Sequence, residues 1–262
     1  IVIVDWSSSL TVSESIKEIN DDRIKVLRVN GEAKWILTYA FNVGLRFARY
    51  SRIFKFDADI EVTEDFLELN YFDRTQFIRG NWKSALDEGL DSQIYVNGSF
   101  GASKNNLKEI GYYNELITTY GWDDSDLYER LASQCGLGSV YLDLHSIMHL
   151  EQEEAERIVH QDVLTSDFLG LVRPTDFHNQ RNKFIGRNAD YWNSDRLQNY
   201  SIKKSTPVLW TLERLTQANP IPAYLINDAN TYAAIHHLYA SQADVAKKSM
   251  SPNILAKFIL CE

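Results

Sequence analysis

Short apolar runs alternate with segments of helical spacing along residues 1–150. Residues 1–4 form a buried-strand pattern ending in Asp5-Trp6-Ser7-Ser8, and residues 24–29 form another; between them Val12, Ile16 and Ile19 recur at helical spacing. Over residues 35–49, Ile36, Ala40, Val43 and Phe47 keep one apolar helix face. That helix leads into RIFKFDADIEVT, residues 52–63, where the β-branched and aromatic run Ile53, Phe54 and Phe56 ends abruptly in Asp57-Ala58-Asp59. Thr63 is placed to cap a short helix over 64–69, residues 76–79 read as a strand, and Ser103 and Gly111 mark the start and stop of another helix. Residues 94–102 mix strand character with Gly98 and Gly101, which permit either close backbone approach to a ligand or a bulge. In YGWDDSDLYERLASQCGLG, residues 120–138, Leu127, Leu131 and Cys135 fall on one helical face, which loads Asp123, Asp124 and Asp126 into the first turn. Residues 140–144 are a further strand candidate, with His145 and His149 close behind.

This alternation predicts an α/β fold with a mostly parallel sheet and right-handed crossovers, flanked by helices. Beyond residue 150 the texture changes. EQEEAER is a charge run suited to a solvated helix face, and helices are expected over 208–218, 230–240 and 253–260, punctuated by Asn219-Pro220 and Ser251-Pro252. The expected organisation is a core over 1–150 and a mainly helical extension over 151–262.

Composition narrows the classes. The 262 residues are 44% apolar, enough for a sizeable core, and no run approaches the roughly 20 apolar residues that span a bilayer. A formal charge of -9 argues against nucleic acid as a partner, since such proteins carry basic faces, and implies that any phosphate handled here comes with a cation. Cys135 and Cys261 show neither CxxC nor CxxH spacing, so no zinc site or disulfide framework is expected. Residue 1 opens on a strand pattern rather than a charged-then-apolar leader. The expected setting is cytoplasmic, with membrane association only through partners.

The chemistry concentrates in two acidic patches. Carboxylates at the carboxyl end of a strand sit where α/β sheets place ligands, and Asp57 and Asp59, one residue apart on extended backbone, can share one divalent cation as hard oxygen donors, or can be a solvated strand end. Asp123 and Asp124 are favoured in their ionised form by the helix dipole, ready to accept a proton from a hydroxyl, though acidic first turns are also routine.

Taken in order, VDWSS, AFNVGLRFA, FKFDADI and YGWDDSDLYERL resemble the motifs of metal-dependent glycosyltransferases of the GT-A (Rossmann-like) fold, of the bacterial family-2 and capsule-polymerase type, with a later segment similar to that of the β-galactosyltransferases. The resemblance covers residues 1 to about 150 and implies that the fold's first strand lies outside these residues. It further implies that Asp59 and His149, the latter in MHLEQE, ligate Mn2+ or Mg2+ with support from Asp57, and that Asp57 also holds the donor ribose. Asp5 and Trp6 would lie near the nucleotide base, Asp124 would be the general base, and Asp123 and Trp122 would bind the acceptor. The implied partners are a nucleotide-diphosphate sugar, a UDP-sugar first, a saccharide acceptor and further domains of a larger protein; the implied role is inverting hexosyl transfer in bacterial surface polysaccharide or glycan synthesis. Two rivals remain at this point: a non-catalytic sugar- or protein-binding module of the same descent, and a phosphatase-like hydrolase using Asp57 as nucleophile, against which Glu61 stands where threonine or valine is usual.

Overall fold

The computed structural model describes residues 1–19, 21–150, 174–188, 192, 194–215 and 221–249. The expected charge-run helix after residue 150 and the expected helix over 253–260 lie outside these residues, as do both Asn-Pro and Ser-Pro punctuation points and Cys261.

The amino-terminal half follows the alternation read from sequence. Strand β1 (Val2–Trp6) and helix α1 (Val12–Ser15), whose amino end is capped by the Thr11 side chain, lead to β2 (Lys25–Val29), which pairs with β1 in parallel. Helix α2 (Leu37–Phe47) then returns the chain to β3 (Arg52–Lys55), β4 (Ile60–Val62), α3 (Phe66–Leu69), β5 (Gln76–Arg79) and α4 (Trp82–Asp87). A 3₁₀ helix over Asp91–Gly98 precedes β6 (Phe100–Ser103), so the mixed segment around the two glycines is half helical turn, half strand. Ser103 caps α5 (Lys104–Glu109) through its hydroxyl, as expected. Thr63 does not cap α3: its hydroxyl bonds the Asp65 carboxylate, and Asp65 takes the cap position. Helix α6 (Asp123–Cys135) ends at Gly136, which adopts the left-handed conformation (φ 65°) that glycine tolerates at a helix stop. Strands β7 (Gly138–Tyr141) and β8 (Ile147–His149) close this half.

The later part corrects two expectations. Helix α7 (Pro174–Arg187) and helix α8 (Ala223–Ser249) are present, but the expected helix over 208–218 is a strand, β10 (Leu209–Arg214), in a hairpin with β9 (Tyr200–Ser205). The local reason is period 2: Trp210 and Leu212 face one side and pack with the core, while Glu213 is exposed. β10 pairs with β2 in parallel, so the sheet runs across the boundary expected at residue 150. The second correction concerns direction. The strands form two four-stranded sheets, ordered β1-β2-β10-β9 and β3-β6-β5-β7, and a two-stranded piece β4-β8. Three of the seven pairings among the described residues are parallel, so the sheets are mixed; β6, β9 and β8 each run against a neighbour.

Helix α2 joins the two sheets. Tyr39, Ala40 and Val43 pack with Trp6, Leu27 and Val29, whereas Leu45 packs with Ile53, Phe77 and Phe100. No described helix is long and apolar enough to cross a membrane.

Candidate active site

The Asp57-Ala58-Asp59 stretch is a turn rather than extended strand, closed by Ile60 N donating to Asp57 O at 3.2 Å. The turn ends the period-2 alternation on which a shared cation depended, and the two carboxylates diverge. Asp57 accepts from the Lys55 ammonium at 2.9 Å. Asp59 is carried toward β8: Ile60 pairs with His149 across the β4–β8 ladder, Leu150 N donates to Asp59 O at 2.8 Å, and His149 Nε2 stands 3.1 Å from Asp59 Oδ2. Among the described residues no three His, Cys, Asp or Glu side chains gather as a metal cage. Asp59 and His149 are brought together as candidate ligands; Asp57 is not with them.

The site residues still fit a divalent cation. Asp59 Oδ1 is buried and has no hydrogen-bond partner, a position a carboxylate oxygen rarely keeps without a cation to meet. Two protein ligands are also a common complement for magnesium or manganese when substrate phosphates supply the remaining oxygens.

The second acidic patch arrives on the first turn of α6. Trp122, immediately before it, adopts a left-handed backbone (φ 64°), which swings the chain into the helix. Behind this turn stands α7. Asn182 Nδ2 donates to Gly121 O (2.8 Å), Thr119 O (3.1 Å) and Tyr120 O (3.2 Å), fixing three successive carbonyls just ahead of the acids. Lys183 and Arg187 lie over the Trp122 ring at 5.1 and 5.7 Å.

Asp124 meets Asp57 at Gly98. A Cβ on Gly98 would lie 3.0 Å from both Asp124 Oδ2 and Asp57 Oδ2, so the two oxygens are at most about 6 Å apart. The glycine thus makes room for two protein carboxylates, where the sequence had left open close approach to a ligand or a bulge. Gly101 serves packing instead, since a Cβ there would come within 2.8 Å of Phe54 and Ile78. Tyr113 donates its hydroxyl to Asp124 Oδ1 at 2.8 Å. Lys55 lies beneath, donating also to Gly98 O at 3.2 Å and resting 3.8 Å from the centre of the Phe41 ring.

Burial raises the Asp124 carboxyl above its ordinary value; Lys55 and the Tyr113 hydroxyl oppose this, while Asp57 adds to it. Asp123 is raised further, by burial and then by its neighbour Asp124. The helix dipole, expected to favour the ionised pair, is thus opposed by removal from water and, at Asp123, by the neighbouring Asp124. Burial works against the Lys55 charge, yet Asp57 and Asp124 more than restore it, so the ammonium stays charged inside the acid cluster. Asp126 belongs elsewhere, in a buried ion pair with Arg130 at 2.7 Å.

Asp57, Asp59, Trp122, Asp123, Asp124 and His149 line one cleft of about 2070 Å³. Asp5 and Trp6 do not. Asp5 is buried; its carboxylate accepts from Ser8 N and Val12 N, both at 3.1 Å, and pairs with Arg28 at 2.6 Å. Burial raises this group, but those bonds together bring it below its ordinary value. Trp6 donates its ring nitrogen to Lys34 O at 2.8 Å. Both residues bind the end of β1 to its surroundings. Lys55 and Tyr113 were missed by the sequence reading. Lys55 carried a signal, standing two residues before Asp57 at the end of the same apolar run; Tyr113 carried none.

No protein-family model matches this chain, and no curated protein sequence does. Solved structures do. The catalytic domain of Drosophila β1,4-galactosyltransferase 7 in complex with xylobiose is similar over 88% of this chain and 97% of that one, at 12% identity and a TM-score of 0.52. A point mutant of the same enzyme, in complex with manganese, UDP-Gal and xylobiose, gives 13% identity, 88% and 98% coverage and a TM-score of 0.52. The chain has the GT-A fold. At this identity the likeness establishes architecture alone.

Proposed function

We propose that this GT-A chain is a metal-dependent inverting glycosyltransferase, moving a hexosyl group from a nucleotide-diphosphate sugar, a UDP-sugar by preference, to a saccharide hydroxyl in bacterial surface polysaccharide or glycan synthesis. One observation carries the proposal: Asp59 with His149, and Asp124 with Asp57, come from distant segments yet line one cleft. The similar Drosophila enzyme binds manganese, UDP-Gal and a disaccharide, which supports this ligand set.

Manganese or magnesium would be held by Asp59 and His149 and would neutralise charge building on the departing diphosphate. The protein's own groups do the rest. Asp124, made more basic by burial, accepts the proton of the attacking acceptor hydroxyl, with Tyr113 fixing its other oxygen. Asp123 and the Trp122 ring hold the acceptor sugar at the same helix start. Lys55 keeps Asp57 and Asp124 together at a separation their charges alone would resist. With a proton acceptor on one face and the leaving group on the other, the anomeric centre inverts without a covalent sugar-enzyme intermediate, unlike retaining glycosidases with their close carboxylate pair.

The alternative, a non-catalytic sugar- or protein-binding module, draws on the incomplete metal cage. A screen of nucleotide sugars for manganese-dependent hydrolysis separates the two without knowledge of the acceptor. Expected are hydrolysis of one donor, its loss in Asp59→Ala, and loss of transfer with donor affinity kept in Asp124→Asn. Nucleotide binding that is equal with and without manganese, with no hydrolysis of any donor, favours the module.

A further inference from the structure

Between α5 and α6 the chain runs through a buried stretch, residues 111–117, that is neither helix nor strand, so its backbone groups need side-chain partners. Helix α2 supplies them. Thr38 and Asn42 are buried and four residues apart; Thr38 Oγ1 donates to Ile117 O at 2.9 Å, Asn42 Nδ2 donates to Tyr113 O at 2.9 Å, and Asn42 Oδ1 accepts from Tyr113 N at 2.8 Å. Asn42 thus takes both backbone groups of Tyr113. Its amide is oriented by Glu115, whose Oε1 accepts from Nδ2 at 2.9 Å while Oε2 accepts from Gln198 N at 2.8 Å. From the other side Arg130 Nη1 donates to Ile110 O at 2.6 Å and Tyr112 O at 2.7 Å. Between these two clamps Tyr112 keeps a left-handed backbone (φ 60°), which costs a bulky side chain energy and persists only where its surroundings enforce it. The corner sets the direction of the next side chain. Tyr113, its ring against Phe41 at 5.1 Å, reaches Asp124 Oδ1 with its hydroxyl at 2.8 Å and leaves Oδ2 beside Gly98 on the cleft wall.

We propose that Asn42 is a positioning residue for the transfer reaction: with Glu115 holding its amide, it fixes the corner at Tyr112 and so aims the Tyr113 hydroxyl that orients the Asp124 carboxylate. The inference rests on the reading of Asp124 as proton acceptor and deepens it. Satisfying a buried loop accounts for Thr38. It does not account for an amide that takes both backbone groups of the residue whose hydroxyl binds Asp124, next to a backbone conformation that has to be enforced. Asn42 touches neither donor nor acceptor; it acts only through Tyr113.

The test uses Asn42→Ala, Tyr113→Phe and the double variant. Each single change should lower kcat about tenfold, the worth of a hydrogen bond to a charged group, with the donor KM held within about twofold. The double variant should be no slower than either, because the two residues act as one unit. Losses that multiply in the double variant, or full kcat in Asn42→Ala, overturn the proposal. Glu115→Gln leaves no cavity and serves where Asn42→Ala does not fold: an amide offers one oxygen where the carboxylate offers two, so kcat should fall about threefold, and not at all in the Tyr113→Phe background. An equal loss in both backgrounds overturns the proposal. A further readout needs no donor sugar. Exchange of the Tyr113 hydroxyl proton with water, followed by NMR on tyrosine labelled at Cζ, should be about tenfold faster in Asn42→Ala or Glu115→Gln than in wild type. Unchanged exchange overturns the proposal; faster exchange in a protein whose wild type turns over no nucleotide sugar supports the positioning and sinks the transferase reading alone.

Discussion

Glu115 offers a sharp test of how the two halves of the molecule are held. Its carboxylate is buried, with Oε1 accepting from Asn42 Nδ2 of α2 at 2.9 Å and Oε2 from Gln198 N, ahead of β9, at 2.8 Å. Burial pushes its pKa from 4.5 up to about 7, against the opposing pull of those two bonds and of Arg46 and Arg214. The native protein therefore keeps a proton that the unfolded chain has released between these values. The corresponding stability is present in full below about pH 4.5, declines as pH rises, and is gone above about 7. At about 1.4 kcal/mol per pKa unit, this shift corresponds to about 3 kcal/mol over the window. Urea unfolding of wild type and Glu115→Gln should be followed from pH 4 to 8. The variant lacks the titration, so the wild-type advantage over it should shrink by about 3 kcal/mol as pH rises, with unchanged m-values. Asp123 and Asp124, raised in the same direction, titrate in both proteins and cancel in the difference. A difference that stays flat from pH 4.5 to 7, or grows with pH, refutes the reasoning.

Other outcomes follow from the cleft. Gly98→Ala should retain the circular dichroism spectrum, since Gly98 has no left-handed backbone to lose, yet lower donor turnover by at least tenfold as the new methyl pushes Asp57 and Asp124 apart. Tyr113→Phe removes a bond that lowers the Asp124 pKa, so the acid limb of the pH-rate profile should move to higher pH; a shift downward would reassign the base. Asn182→Ala should cost about 2 kcal/mol in the denaturant midpoint, because carbonyls it satisfies at Thr119, Tyr120 and Gly121 lose their donor, and should slow transfer as the α6 start loosens.

Periodicity made the amino-terminal elements legible, because each carries its own apolar pattern and buries it locally: α2 and β3 lie within a few residues of where spacing put them. β10 failed for a physical reason. Val208, Leu212 and Leu215 satisfy a helical spacing as well as Trp210 and Leu212 satisfy alternation, and only pairing with β2 decides between them. In the cleft, motif order found Asp57, Asp59, Asp123, Asp124, Trp122 and His149. It could not find that Asp57 and Asp59 part company, since that depends on a turn, nor that Asp5 is consumed by Arg28, a residue 23 positions away. Tyr113 reaches Asp124 only through the packing of the segment after α5 against α6.

The turn at Ala58 has an engineering corollary. One carboxylate faces a histidine and the other an ammonium, so two functions that motif shorthand treats as a unit are insulated by a single peptide corner. On the proposed reading, substitution at position 59 would retune ion preference while the Asp57 charge that raises the Asp124 carboxyl stays in place.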